Sequence, residues 1–343
     1  MYFRPRYLSI LTTRQCTAAC DHCCVGASPR QTQAIPLERI RGLIDEATRV
    51  ESIELIGFTG GECFLLGTAL DELVGRATSN GFRTRAITNG YWAVNDRAAR
   101  ARIANLRRMG LGELMFSTGT FHQQFVPVER VIAGARAAAE AGILVRVSVE
   151  TCDQSTFDAA HVRDALADLV LSRRVFVGED PWTTDVAGRG AAALTHEQLF
   201  AHAPNPADQR CPQVLDVISV SPAQDVIACC GFPQEHLPRM RLGSVAERPL
   251  DAVLAEAPRD LLKLWLHVSG PVEIARFVAR HDPEFRLPRA ASVCEACVML
   301  QRDERAMRIV DEHAPRIANQ IEAAFAQLRE QTTRLPTNHL QPA

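Results

Sequence analysis

Three cysteines within eight residues constrain this chain more than any other feature. Cys16, Cys20 and Cys23 are separated by three residues and then by two. Thiolate sulfur selects zinc, copper(I) or iron–sulfur clusters, and a closed structural zinc site usually takes four ligands from two separated pairs. Three thiolates on one tight loop suit a four-iron cluster that keeps one iron without a protein ligand. Because an open iron can chelate a small molecule, the spacing predicts chemistry rather than scaffolding.

The composition is that of an ordinary globular protein and disfavours two classes of partner. The 343 residues include 47% hydrophobic and 23% charged residues, with a formal net charge of −2. This charge gives no reason to expect nucleic acid or a membrane surface as partner. The chain shows neither an apolar signal core at its start nor a run of 18 apolar residues. We therefore predict a cytoplasmic protein, in which the 11 cysteines are metal or redox ligands rather than disulfides.

Strand and helix patterns alternate six times, or nearly so, over about the first 180 residues. The predicted strands cover residues 6–13, 52–58, 82–88, 113–117, 143–149 and 174–177. The predicted helices cover residues 37–49, 67–79, 96–109, 128–141 and 157–170. Such alternation predicts parallel strands with helical crossovers. The fold class is therefore α/β, a partial (β/α)6 TIM-like barrel with its active site after the strands.

The pattern changes after residue 190, where a second and smaller unit is predicted. Asp216–Val220 and Asp225–Cys229 are predicted as the strands of a hairpin, and residues 250–256, 261–267 and 299–328 as helices. We place the boundary near residues 191–210. The predicted organisation is a barrel over residues 1–195, an α+β extension over residues 205–330 and a flexible tail over residues 331–343.

The spacing of the three cysteines resembles the CxxxCxxC signature of the radical S-adenosylmethionine (radical SAM) superfamily. Gly60-Gly61-Glu62, after the second strand, resembles the GGE motif of that family, with Cys63 replacing the proline that often follows. In that family the open iron of a [4Fe–4S] cluster binds the amino and carboxylate groups of SAM. An electron from the cluster cleaves SAM to methionine and a 5′-deoxyadenosyl radical, which abstracts a hydrogen atom from the substrate.

The resemblance implies a set of cofactor residues. A [4Fe–4S] cluster is expected on Cys16, Cys20 and Cys23, with SAM as cofactor and a reductant such as flavodoxin or ferredoxin as partner. Further contacts to SAM are implied for residues in the cysteine loop, in the glycine turn and at strand ends, namely His22, Gly60, Gly61, Glu62, Thr88, Asn89, Ser117, Arg146, Ser148 and Gly188.

Some of these residues have plainer interpretations from the residues alone. Thr88-Asn89-Gly90 equally fits an ordinary turn. Arg146 and Ser148 share one face of a strand and equally fit polar residues of a barrel interior. His122, after the fourth strand, is either a substrate-contacting or proton-handling group or a capping and packing residue.

A second cysteine set, Cys211, Cys229, Cys230 and Cys294-Glu-Ala-Cys297, lies in the C-terminal part. Its spacing alone fits a structural zinc site as well as a fully ligated iron–sulfur cluster. The order of cysteine, hairpin, cysteine and CxxC resembles the SPASM/twitch extensions of radical SAM enzymes, although Gln224 stands where the family usually has glycine. The resemblance implies a twitch-like extension with one auxiliary [4Fe–4S] cluster on Cys211, Cys229, Cys294 and Cys297.

Only one of the adjacent cysteines Cys229 and Cys230 is expected to bind the auxiliary cluster. Adjacent residues on a strand point to opposite faces, so both cannot easily face one cluster. We favour Cys229 as the ligand, because its distance from the hairpin turn suits the family. If Cys230 points into the barrel mouth, it can donate a hydrogen atom to a substrate radical, as a cysteine does in radical SAM peptide epimerases. The alternative is a small buried hydrophobic residue.

The resemblance implies a class of reaction and leaves the substrate open. SPASM and twitch enzymes mostly modify ribosomally synthesised peptides by epimerisation or crosslinking, which is our leading hypothesis. A radical dehydrogenase for sugar or aminoglycoside alcohols is the small-molecule alternative. The first strand begins near residue 6, so we expect any leader-peptide-binding function to come from a separate protein. The non-enzymatic alternative is a zinc-stabilised binding protein.

Overall fold

A single sheet organises the part of the chain that the computed structural model describes, residues 4–151, 155–180, 209–230, 237–257, 260–287, 290 and 292–333. Its strands are β1 (Tyr7–Leu11), β2 (Leu55–Thr59), β3 (Arg83–Thr88), β4 (Glu113–Gly119), β5 (Leu144–Glu150), β6 (Val175–Asp180), β7 (Val217–Val220), β8 (Asp225–Ile227) and β9 (Arg241–Ser244). Their order is β6-β5-β4-β3-β2-β1-β7-β8-β9. The strands β1 to β7 pair with their neighbours in parallel. The strand β8 is antiparallel to both of its neighbours, β7 and β9. The predicted α/β fold with a partial parallel barrel is confirmed.

Helices connect the parallel strands and cover one face of the sheet. They are α1 (Leu37–Ala47), α2 (Thr68–Ser79), α3 (Asp96–Arg108), α4 (Thr120–Gln123), α5 (Val128–Glu140), α6 (Ala159–Ala165) and α7 (Ala167–Leu171). Apolar residues at a spacing of three to four bury one side of each longer helix, as Ile40, Leu43 and Ile44 do in α1. They pack in one core with the outward-facing strand residues, of which Phe58 and Phe116 are fully buried.

Strand alternation gives the sheet a second, inward-facing side with a different composition. Pairing places Tyr7 opposite Leu55, Gly57 opposite Arg85, and Arg85 opposite Glu113. It also places Ser117 opposite Ser148. The inner side of the partial barrel is therefore lined by polar and charged residues, while aliphatic and aromatic residues of the same strands build the outer core.

The C-terminal strands extend the same sheet beyond β1. The strand β7 pairs in parallel with β1, with Tyr7 opposite Val217, and β8 folds back as the predicted hairpin. Gln224 adopts φ +66° in the hairpin turn, which is the left-handed region that favours glycine. The strand β9 was not among the predicted elements.

The C-terminal helices differ from the prediction in one important respect. They are α8 (Leu250–Glu256), α9 (Leu261–Ser269), α10 (Pro271–His281), α11 (Val293–Arg302), α12 (Glu304–His313) and α13 (Ala318–Thr333). The single helix predicted over residues 299–328 is wrong. Asp303 ends it, because its side chain caps α12 by accepting a hydrogen bond from the Ala306 amide. Pro315 then lies in a 3₁₀ turn between α12 and α13.

The predicted domain limits stay a prediction, because the boundary near residues 191–210 and most of the tail lie outside the described residues. The helix α13 continues to Thr333, so the tail predicted from residue 331 begins as helix. No helix within the described ranges is long and apolar enough to cross a lipid bilayer.

Candidate active site

The cysteine loop follows β1 directly and is tied to the loop that leads to α1. Pairing between Gln15 and Ser28 and a hydrogen bond from the Cys16 amide to the Ser28 carbonyl hold its two ends together. The Cys23 amide donates to the Cys20 carbonyl at 3.1 Å, which closes a turn between these two cysteines. The three cysteines of the motif are free thiols, and burial raises the pKa of the Cys16 thiol to about 11.

The glycine turn after β2 packs against the start of the cysteine loop, backbone to backbone. A Cβ atom on Gly60 would lie 2.4 Å from the Thr13 carbonyl oxygen, and one on Gly61 would lie 2.2 Å from the Gln15 carbonyl oxygen. The Glu62 amide donates to the same Gln15 carbonyl. Gly60 also has φ +135°, a conformation that side chains disfavour. The two glycines are thus required by the fold itself, since they let the turn and the loop touch.

Glu62 is buried beneath the cysteine loop and organises the end of β3. Its carboxylate accepts hydrogen bonds from the Phe64 amide at 3.0 Å, the Thr88 hydroxyl at 2.9 Å and the Asn89 amide at 2.8 Å. Burial raises the pKa of Glu62 to about 7, although these donors oppose the shift. Asn89 in turn donates to the Thr17 hydroxyl at 3.1 Å and lies 3.6 Å from the Cys16 sulfur. A chain of contacts therefore links the glycine turn, the end of β3 and the first cysteine.

One cavity of about 210 Å³ lies where these segments meet, at the carboxyl ends of the parallel strands. Cys16, Cys20, His22 and Cys23 line it on the loop side. The strand and turn residues Gly60, Gly61, Thr88, Asn89, Ser117 and Ser148 line the opposite side. The fold thus brings together most of the predicted cofactor residues around one cavity. Their contacts with SAM stay a prediction.

Two of the predicted cofactor residues do not line the cavity, and a third is not among the described residues. Glu62 supports the cavity from behind rather than lining it. Arg146 lies two residues before Ser148, and its Nε atom donates to Glu113 at 2.8 Å. It is not among the lining residues of the cavity. Gly188 lies outside the described residues.

A histidine–carboxylate dyad forms part of the cavity wall. The His122 Nδ1 atom lies 2.9 Å from Glu150 Oε2, and the Phe121 and His122 amides donate to Glu150 Oε1 at 2.9 and 3.3 Å. An ionised carboxylate only accepts, so a hydrogen bond to it comes from Nδ1–H, and in the neutral imidazole Nε2 then keeps a lone pair. Gly119 makes room for this arrangement, because a Cβ atom there would lie 1.9 Å from Glu150 Oε2.

His22 packs against this dyad, with its ring centroid 4.7 Å from that of His122 and 5.2 Å from that of Phe121. Donor atoms of His22, His122 and Glu150 all lie within 4.8 Å of one another. Both oxygens of Glu150 already accept hydrogen bonds from N–H groups. We therefore interpret the group as a hydrogen-bonded dyad with a tilted histidine packed against it, which can hold or move a proton at His122 Nε2.

Glu150 is the residue of this cavity that the sequence interpretation missed. Its signal was its position, since it is the last residue of β5 and follows Ser148 on the same face. Gly119, two residues after Ser117, gave a second signal at the end of the neighbouring strand. Neither residue type alone is specific enough to indicate a site.

The second cysteine set gathers residues from three separate elements. Burial raises the pKa of Cys211 to about 12, with a further contribution from the nearby Cys229. The pKa of Cys297 is raised by burial and by both of these cysteines. Cys294 begins the same helical turn as Cys297, three residues earlier in α11, which places the two on one side of the helix. Cys211, Cys229 and Cys297 are therefore neighbours, and their role as ligands stays a prediction.

Cys230 points away from this group. It packs against Tyr7, Leu55 and Val217, which share the inner face at the amino-terminal ends of β1, β2 and β7. The cavity lies at the opposite, carboxyl ends of the strands. Cys230 therefore lies deep in the barrel rather than at the mouth, where its role as hydrogen-atom donor was expected, and that role stays a prediction.

Comparisons with known proteins found similarity over the segment that contains the cysteine loop and over the fold. Residues 10–161, slightly less than half of the chain, match the sequence profile of the Radical SAM superfamily. The chain is similar to YydG of Bacillus subtilis (strain 168), a protein named for peptide biosynthesis, with 27% identity over 171 residues. The matched part is 49% of this chain and 52% of YydG, so the chain spans about half the length of this relative.

Two solved structures share the fold at low sequence identity. Native anSMEcpe with bound AdoMet is 14% identical with a TM-score of 0.52, over 92% of this chain and 100% of that chain. Streptococcus suis SuiB bound to its precursor peptide SuiA is 13% identical with a TM-score of 0.51, over 85% of this chain and 76% of that one. These likenesses concern the fold alone.

Proposed function

We propose that this protein is a radical SAM enzyme that modifies a ribosomally synthesised peptide. The observation that carries the proposal is the single cavity shared by Cys16, Cys20 and Cys23, the glycine turn and the polar ends of β3, β4 and β5. The profile match over residues 10–161 includes this loop, the glycine turn and these strand ends. A structural zinc site would need neither the cavity nor the polar strand ends.

The residues present fit an iron–sulfur cluster with an open iron. The three thiols lie on one short loop and line one side of a cavity large enough for a bound molecule. In the proposal Cys16, Cys20 and Cys23 hold a [4Fe–4S] cluster. When bound, this cluster supplies the electron that cleaves SAM, and the resulting radical takes a hydrogen atom from the substrate.

The residues of this chain bind and orient SAM in the proposal. The backbone of Gly60 and Gly61 lines the cavity and packs against the start of the cysteine loop, where no side chain would fit. Thr88, Asn89, Ser117 and Ser148 offer polar groups along the strand ends. Glu62 fixes the Thr88 hydroxyl and the Asn89 amide through its own hydrogen bonds. When ionised, Glu62 also favours the ammonium group of SAM on the cavity side.

Metal analysis of anaerobically purified and reconstituted protein tests the proposal against the zinc alternative. We expect about eight iron atoms per chain with matching sulfide, as two cubane clusters require. The reduced protein should then form 5′-deoxyadenosine from SAM. A colourless protein that holds about two zinc ions and leaves SAM intact would contradict a radical enzyme.

A peptide substrate is the finer part of the proposal. It is supported by the similarity to YydG, whose name refers to peptide biosynthesis, and by the second cysteine set, which suits an auxiliary cluster. The test is incubation of reduced enzyme with candidate precursor peptides and with sugar alcohols, while 5′-deoxyadenosine and product masses are followed. Product from peptides supports the proposal, and turnover with a sugar alcohol alone contradicts it.

The His122–Glu150 dyad favours a second candidate, the radical dehydrogenase. Oxidation of an alcohol removes one hydrogen atom, which the 5′-deoxyadenosyl radical would take, one proton and one electron. It therefore requires a proton acceptor and an electron acceptor, and the auxiliary cluster proposed on the second cysteine set would take the electron. His122 Nε2 makes no hydrogen bond among the described residues, and Glu150 holds the ring with Nδ1 protonated. This is the arrangement that a general base requires.

Replacement of His122 distinguishes the two candidates. His122→Gln keeps a donor toward Glu150 and removes the base. For an oxidation we expect product per 5′-deoxyadenosine to fall at least about tenfold, while SAM cleavage continues. His161→Gln, at a histidine that packs on Phe157 away from the cavity, is the matched control. An unchanged ratio in His122→Gln would argue for epimerisation, which needs no base.

A further inference from the structure

A charged layer lies on the inner face of the barrel, below the cavity. We call Tyr7, Arg85, Glu113, Arg146 and Phe176 the inner layer. Arg85 Nη2 donates to Glu113 Oε2 at 2.8 Å, and Arg146 Nε donates to Glu113 Oε1 at 2.8 Å. The Arg85 guanidinium lies 5.2 Å from the centre of the Tyr7 ring, and that of Arg146 lies 5.4 Å from the centre of the Phe176 ring.

The inner layer holds two cations and one anion. Glu113 is the one carboxylate that contacts Arg85 or Arg146 among the described residues. The side chain of Arg85 is 6% exposed. Its Nε atom is buried and has no hydrogen-bond partner among the described residues. Burial also raises the pKa of Tyr7, so its phenol stays neutral and adds no negative charge.

An unmatched positive charge in a barrel interior is unfavourable. Burying an ion is costly unless partners compensate it, and the single negative charge of Glu113, which contacts both guanidinium groups, balances only one of their two positive charges. The terminal nitrogens of Arg146 make no hydrogen bond within the described ranges. The layer therefore has the charge and the free N–H groups to accept one more anion.

The Arg146 end of the inner layer is open. Its side chain is 24% exposed, and its neighbour Phe176 is 43% exposed. Gly178 lies opposite Ser148, and a Cβ atom there would meet nothing within 4 Å. Ser148 lines the cavity and shares the inner face of β5 with Arg146, so Arg146 lies next to the cavity wall.

We propose that the inner layer is a subsite for a carboxylate group of the substrate, held by Arg146 and backed by Arg85. This inference rests on the proposed function, because it needs a substrate that enters the barrel next to the SAM site. Arg146 lies two residues below Ser148, or about 7 Å along the strand. The carboxylate would therefore bind below the atoms that react at the cavity. Guanidinium groups bind carboxylates in a paired geometry that amides do not match.

The test uses small probes of defined charge on reconstituted, SAM-saturated protein. N-acetylglutamate α-amide carries only a side-chain carboxylate, and N-acetylalanine carries only a C-terminal one. N-acetylglutamine amide is the neutral control. Titration calorimetry and thermal unfolding measure binding, and the formation of 5′-deoxyadenosine is followed in the same preparation.

We expect at least one carboxylate probe to bind in the millimolar range and the neutral amide not to bind. Arg146→Gln should weaken this binding about tenfold or more. Arg136→Gln is the matched control, since Arg136 pairs with Asp168 on the protein surface and should leave binding unchanged. The carboxylate probe that binds more tightly shows whether the subsite favours the carboxylate of an acidic side chain or that of a peptide C-terminus.

Three results on the SAM-saturated protein would overturn the proposal. These are equal binding of the carboxylate and amide probes, no binding at millimolar concentration, and full binding by Arg146→Gln. Binding seen only without SAM would assign the layer to the carboxylate of SAM and would also overturn it. Failure of the proposed function has a different signature, since 5′-deoxyadenosine would then be absent whatever the probes do.

Discussion

The two cysteine sets of this protein differ in how the fold assembles them. Cys16, Cys20 and Cys23 come from one loop, and all three face a cavity. Cys211, Cys229 and Cys297 come from a loop, the end of a hairpin and a helix. They lie among buried apolar residues, and they do not line the cavity.

The difference separates a site that can bind and release a small molecule from a site whose role is structural or supporting. A loop with three thiols beside polar strand ends leaves a position for a small molecule. In the proposal, the four thiols of the C-terminal set would form a complete ligand shell with no open position. We therefore expect the loop to carry the chemistry and the C-terminal set to support it.

The largest expected effect comes from removing a thiol of the loop. Cys20→Ala should reduce 5′-deoxyadenosine formation at least about a hundredfold, because a cluster with two protein ligands does not persist. Cys24→Ala is the matched control, since Cys24 also lines the cavity but lies outside the motif. Equal loss in both variants would mean that the loop spacing has no special role.

Removing a thiol of the C-terminal set should have a different outcome. Cys294→Ala should retain part of the SAM cleavage and lose product formation, because the loop keeps all of its ligands. The measurement is 5′-deoxyadenosine and product from the same reaction. If Cys294→Ala and Cys20→Ala behave alike, the proposed division of labour between the two sets is wrong.

Comparison of Cys229→Ala with Cys230→Ala identifies the ligand within the hairpin. Cys229 neighbours Cys211 and Cys297, whereas Cys230 packs against Tyr7. We expect Cys229→Ala to lose about four iron atoms per chain and Cys230→Ala to keep them. Iron analysis with the absorption spectrum checks this result, and the reverse pattern would assign Cys230 to the cluster.

The smallest expected effect concerns the packing beneath the loop. Gly61→Ala places a methyl group where the Gln15 carbonyl oxygen lies 2.2 Å away, so the loop must move. We expect a loss of about 1–3 kcal/mol in the free energy of unfolding, measured by denaturant titration. Gly178→Ala meets no neighbour within 4 Å and should be nearly neutral. Equal stability of the two variants would show that the turn and the loop do not touch.

The barrel and the cysteine loop were predictable from the sequence because both depend on local order. Each predicted barrel strand overlaps one of β1 to β6, and the apolar spacing placed Leu37–Ala47 and Val128–Glu140 as helices. The motif residues meet because parallel strands bring their carboxyl ends to one edge. The single helix predicted over residues 299–328 is interrupted twice. The cap at Asp303 starts a new helix, and the 3₁₀ turn that contains Pro315 separates α12 from α13.

The inner layer and the dyad were not predictable, because both depend on pairing between distant strands. Arg146 and Glu113 meet across β4 and β5, and Glu150 reaches His122 over the backbone of Gly119. Alternation alone says which residues share a face and does not give their partners. The position of Cys230 likewise followed from the pairing of β7 with β1.

Electron paramagnetic resonance of the reduced Cys294→Ala variant, with and without SAM, compares the two cysteine sets most directly. In this variant the loop is the one set that keeps its ligands. We predict a [4Fe–4S] signal that changes when SAM is added, because the proposed SAM site lies beside the loop cysteines. A signal that SAM leaves unchanged, or no iron–sulfur signal at all, would contradict the assignment of the loop as the SAM-cleaving site.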